Sequence, residues 1–263
     1  MPMWIRTILI VMLAMSCGSA HAQKQALPSV LIIGDSIYSQ NARSVASELK
    51  DKASVVIAAM PQDTVLNSAT VIEHLDVLLG RADRNGKPLP EDQCPTWDLI
   101  HINVGLGDLI YRVPDIESFR ILPIHAGGVV TTEPKQYEKN LDVLMGKLKA
   151  TGAKIVWANT TPIRDSRSNV FKLGSEIEYN NIASKVVARH GVATNDMYTY
   201  VKHLINMDKP AGHGADPFNF DKKPIHMPIV RVVEKAFGLK PMPETAEEKA
   251  VKEVQEKPTP KQG

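Results

Sequence analysis

Short unbroken apolar runs alternate along this chain with longer stretches whose apolar residues recur every three or four positions. Residues 30–33, 54–59, 99–104, 154–158 and 192–194 have strand length and are rich in Val and Ile. Residues 42–50, 71–79, 137–150, 176–190, 198–206 and 228–237 carry helical spacing. The clearest is 137–150, which puts Leu141, Leu144, Met145 and Leu148 on one face before Thr151-Gly152 stops it. Apolar strands separated by helices predict a mostly parallel sheet covered on both faces. The fold class expected is α/β, a three-layer doubly wound sandwich of flavodoxin-like type. Such sheets bind ligands outside the carboxyl ends of their strands. The places to search are therefore 34–37, 59–67, 103–108, 159–164 and the segment before the last helix.

The two ends fall outside this pattern. Residues 1–6 carry one positive charge, 7–15 are apolar but too few to span a bilayer, and Ala20-His21-Ala22 fits a cleavage site. These features predict a signal peptide over 1–22 and an exported protein, periplasmic or extracellular, with no stable membrane span once the signal is gone. Cys17 offers a lipoprotein alternative, but Ala14 stands where such signals usually carry Leu. At the other end, 241–263 is rich in Pro, Glu and Lys with few apolar residues, and reads as a disordered tail. One domain is left, over 26–240.

Charge narrows the partners. The 263-residue chain has 31 basic and 29 acidic residues, and losing Arg6 with the signal leaves 30 against 29. That balance gives no footing for a nucleic-acid surface. Cys94 is then alone, so no internal disulfide is expected, and a buried thiol is the default. No metal-ligand spacing and no phosphate-binding glycine loop occurs, and neither metal nor cofactor is expected. The sequence leaves the oligomeric state open.

The candidate chemistry sits at Gly34-Asp35-Ser36-Ile37, directly after the first apolar run. A serine on a tight turn between strand and helix exposes its hydroxyl and can aim its amide at a developing anion. Asp35-Ser36 would equally serve as a plain helix cap.

Together with this tetrapeptide, several ordered segments resemble a bacterial branch of the SGNH/GDSL hydrolases. They are 97–109 (WDLIHINVGLGDL), Glu73-His74-Leu75-Asp76, 137–141 (YEKNL), 151–162 (TGAKIVWANTTP) and 179–183 (YNNIA), and they cover most of the core. The resemblance implies an ester hydrolase acting on acyl or acetyl groups, carbohydrate-borne ones among them. It implies a serine nucleophile, a histidine base three residues after an aspartate, and an oxyanion site built from the serine amide, a glycine amide and an asparagine side chain. Ser36 matches the nucleophile and Asp216 the aspartate. Asn219 occupies the histidine's position, and an asparagine amide cannot accept a proton near neutral pH. The third block reads Gly105-Leu106-Gly107-Asp108, with Gly107 in the asparagine's place. No glycine occurs between Asp35 and Leu79 to fill the second block. Asn103 lies near the third block and either turns toward the crevice or bonds a neighbouring loop.

His226 is the candidate replacement base, with His213 behind it, and His101 reads as structural packing. Two classes of function stay open: a hydrolase working through Ser36, and a non-catalytic relative that keeps the crevice as a binding or scaffold site. The insert at 112–134 is either a lid or a packed surface loop.

Overall fold

The computed structural model describes residues 26–116, 118–211, 218, 220 and 223–256. The signal peptide and positions His213, Asp216, Asn219 and Asp221 lie outside the described residues. In chain order the strands are β1 (Ser29–Ile33), β2 (Ser54–Ile57), β3 (Leu99–Ile102), β4 (Tyr111–Arg112), β5 (Val129–Val130), β6 (Lys154–Ala158) and β7 (Ala193–Asn195). The helices are α1 (Ser36–Glu48), α2 (Ser68–Glu73), α3 (Leu75–Leu78), α4 (Leu106–Leu109), α5 (Pro134–Lys149), α6 (Ser175–Arg189), α7 (Met197–Leu204), α8 (Met227–Phe237) and α9 (Ala246–Glu256). Five strands form one parallel sheet in the order β2-β1-β3-β6-β7. The order reverses between β1 and β3, so the crevice of a doubly wound sheet falls at their carboxyl ends.

Strand alternation divides the core. Val30, Ile32, Leu99, Val156 and Ala158 face a layer made by α1, α7, α8 and α9. Leu31, Ile33, Ile100, Ile102, Ile155 and Trp157 face the layer of α2, α3, α5 and α6. β1 and β3 are buried on both faces, which is why the run of β1 is unbroken from Val30 to Ile33 and that of β3 is interrupted only by the buried His101. Each fully buried Leu or Ile contributes about 1.5–3 kcal/mol.

Three elements differ from the sequence reading. The first helix begins at Ser36, not residue 42, because the Asp35 carboxylate accepts from the amides of Ile37 (2.9 Å) and Tyr38 (3.4 Å) and so caps it. The 71–79 helix is two short helices meeting at His74. The segment read as a disordered tail contains α9, whose Val251 is buried in the α1-side core. Arg231 of α8 holds that helix with a two-pronged contact to Glu248, at 2.8 and 2.9 Å, and also donates to the buried carboxylate of Glu234 at 2.8 Å. A mostly polar segment orders here because one apolar anchor and one forked ion pair find partners on a distant helix. Residues 257–263 lie outside the described residues.

The described part of the 112–134 insert is a mostly exposed surface loop tied down by backbone pairing, with Thr132 buried. β4 pairs with β5, and the amides of Tyr111 and Ile124 donate to the carbonyls of Val170 and Asn169. Cys94 is a free thiol, half-buried rather than buried. None of the described helices is long and apolar enough to cross a membrane.

Candidate active site

Ser36 is the first residue of α1 and is exposed at the carboxyl end of β1. Its amide, as the first of the helix, has no intrahelical acceptor and points with the helix N-terminus. It stands between two cavities. One, about 700 Å³, lies toward the exit of β2 and includes Ser39, Gln40, Arg43, Met60 and Leu66 in its lining. The other, about 580 Å³, runs along α1 past Gln40, Asn41 and Ser44 to the segment carrying Phe218, Phe220 and His226. Phe220 is buried, and Phe218 meets both Phe220 and Phe171 edge-on, at centroid distances of 6.2 and 5.5 Å. Phe218 and Phe220, the described residues on either side of position 219, border the groove that holds Ser36.

Beside the serine, Asp35 is buried, and burial lifts its carboxyl from 3.8 to about 6 against the lowering effect of the two capping amides. Its second oxygen, Oδ2, has no partner among the described residues. Burial also drives the Tyr38 hydroxyl well above its usual range, and that hydroxyl donates to the Asn159 carbonyl at 2.6 Å.

The third block is built into the interior. Asn103 is fully buried and its amide donates to the Ala158 carbonyl at 3.0 Å, so it ties the β3 exit to the β6 exit and is not presented to the crevice as an oxyanion donor. A Cβ on Gly105 would run into the Thr160 hydroxyl. A Cβ on Gly107 would run into the backbone carbonyl of Leu66, the loop that follows β2. The position expected for an oxyanion asparagine is thus filled by main chain. Asp108 is fully buried and accepts from the Ser68 amide (3.1 and 3.0 Å) and hydroxyl (2.6 Å). Asn140 of α5 donates to the same hydroxyl at 2.8 Å, and Gln136 to Asn140 at 2.7 Å. Burial raises the Asp108 carboxyl to about 6 despite these bonds. Gly105, Gly107 and Asp108 therefore hold the β2, β3 and α5 regions together.

His226 lines the same cavity as Ser36, toward the far end of α1. It immediately precedes α8, and its Nε2 lies 3.8 Å from Glu48 at the far end of α1. Ser36 and Glu48 are twelve residues apart on that helix, about 18 Å of rise, so a ring at Glu48 is beyond hydrogen-bond reach of Ser36. His101 is packing, as expected: it is buried beside Tyr38, its Nε2 lies 3.1 Å from the Asn195 amide, and burial lowers it from 6.5 to about 4. No group of three or more potential metal ligands occurs among the described residues. The sequence reading overlooked Arg43 and Gln40. Once α1 starts at Ser36, they follow at i+7 and i+4 on the same face.

No family profile matches the chain, and no curated protein matches it in sequence. Solved structures do match its shape. A lipase/acylhydrolase from Enterococcus faecalis superposes with a TM-score of 0.50 at 16% identity, over 83% of this chain and 100% of that one. A variant of an acetyl-xylooligosaccharide esterase from Geobacillus does so with a TM-score of 0.50 at 12% identity, over 83% and 97%. At such identities the likeness shows the fold, which is the one the sequence resemblance implied.

Proposed function

We propose that this chain is an exported ester-hydrolase-type protein of the SGNH/GDSL family, whose Ser36 crevice takes acyl or acetyl esters, those on carbohydrate included. The observation that carries the reading is the placement of Ser36. It is exposed on the first turn of a thirteen-residue helix, at the carboxyl end of a central strand and between two cavities. The two solved structures named above bear esterase and acylhydrolase names, which supports the substrate class. The serine keeps the nucleophile's place with Asn219 where the base would be, so turnover is slow. Loss of a triad base costs on the order of 10⁴-fold or more. The second reading, a non-catalytic ester-binding relative, is favoured by one specific feature: the Leu66 carbonyl seated on Gly107.

A serine-directed phosphonate and an activated acetate ester test the pair. The hydrolase-type reading expects slow labelling of Ser36, weak turnover lost in Ser36→Ala, and higher turnover in Asn219→His. Ester binding with no label and no turnover selects the binding-protein reading. Fast turnover that survives Ser36→Ala overturns both.

A further inference from the structure

The larger cavity at Ser36 is asymmetric in charge. α1 supplies one wall with Ser36, Ser39, Gln40 and Arg43 at i, i+3, i+4 and i+7, a single helix face. The β2 exit and the loop after it supply the other, with Ile57, Met60 and Leu66 as apolar surface and Thr64 as a polar group. Arg43 is exposed and has no ion-pair partner among the described residues. Among those residues the one acid lining this cavity is Asp35, which is buried and committed through Oδ1 to the Ile37 and Tyr38 amides. α1 carries no acid in its first turn. Asp63, next to Thr64 in the chain, lines a different cavity together with His74 and Arg112. The Asp35 carboxylate caps the positive end of α1, so the one exposed charge a ligand meets on this lining, among the described residues, is the Arg43 guanidinium. An exposed guanidinium beside apolar surface favours a ligand of opposite charge.

The geometry points to an anionic ester as the preferred ligand: one whose acyl or alcohol half bears a carboxylate that pairs with Arg43 while its ester carbonyl lies at Ser36. This rests on the reading of the Ser36 crevice as an ester site. Ser36 and Arg43 are separated by about 10 Å of helix rise, and helical side chains lean toward the N-terminus, which shortens the gap. Short acids a few bonds from the ester fit that span. The planar guanidinium suits a carboxylate through two parallel hydrogen bonds, which a lysine does not reproduce.

Calorimetric titration of the full chain at low salt tests this with two matched pairs of probes. Monomethyl succinate against methyl butanoate charges the acyl half, and an acetylated methyl glucuronoside against the acetylated methyl glucoside charges the alcohol half. At least one charged probe is expected to bind tenfold or more tighter than its neutral partner. Arg43→Gln should remove that advantage, Arg43→Lys should restore part of it, and salt should weaken it. The pair that gains identifies which half carries the acid. Equal affinity within both pairs, with Ser36 still labelled by the phosphonate, overturns the anionic preference and leaves the ester reading standing. Absence of binding by all four probes, with no label, overturns both. Circular dichroism of the exposed-site variants checks that they fold.

Discussion

After β3 the chain enters a turn in which every space is taken. The Leu66 carbonyl lies where a Gly107 side chain would go, and Asp108, Ser68, Asn140 and Gln136 form a hydrogen-bonded chain into α5. After β1, on the adjacent strand, Ser36 faces solvent between two cavities, and Asp35 beside it keeps a buried oxygen with no partner among the described residues. The two turns share a sheet and a strand pair, and both lie in segments that carry the sequence resemblance, yet one is structural and the other is accessible. Retention of a motif block therefore says nothing by itself about chemistry. What decides is whether its polar groups are spent inside the fold.

The contrast can be broken from the filled side first. Gly107→Asn must displace backbone rather than a flexible side chain, and should cost about 3 kcal/mol or more in urea denaturation. A loss below about 1 kcal/mol would show that the Leu66 loop yields. Asp108→Ala should cost about 2–3 kcal/mol, because Ser68 is left with a buried amide and hydroxyl and no acceptor.

The pH dependence sharpens the other side. Asp35 is raised from 3.8 to about 6 by burial, so the fold binds its proton more tightly than the unfolded chain does. Its stabilising contribution is full below about pH 4 and is lost as pH climbs through 6. Asp108 behaves the same way, whereas His101, lowered to about 4, is favourable above 6.5 and loses that as pH falls. The difference between Asp35→Asn and wild type isolates one group, since asparagine still caps the helix. The variant should gain on the order of 1–3 kcal/mol relative to wild type between pH 4 and 7. A flat difference over that range refutes the raised carboxyl. Smallest of all, Ser36→Ala should change stability by no more than about 0.5 kcal/mol, as its exposed hydroxyl bonds to no described residue.

The sheet was legible from the chain because β1, β3 and β6 are buried on both faces over most of their length and are almost wholly apolar, Ser29 of β1, His101 of β3 and Lys154 of β6 apart. The layer helices α5 and α6 were legible for the matching reason, one continuous buried stripe. The start of α1 was hidden by polar residues such as Ser39, Gln40 and Asn41 on its solvent face, although Asp35 gave a cap signal and Ile37, Tyr38, Ala42 and Val45 the buried spacing. At the site, Ser36 could be found from the motif. The contacts of Gly107 with Leu66, Asn103 with Ala158 and His226 with Glu48 could not, since each joins segments brought together by the fold. The helix α9 escaped because its order depends on Arg231, fifteen residues before it begins.

The placement of Val251 has a consequence for truncation. The buried members of the layer over α5 and α6 all lie between residues 31 and 187. The opposite face draws on Val251 as well. The two faces therefore differ in how much of the chain must be present to fill them, and removing 246–256 would open the face beneath Ser36 while leaving the other whole.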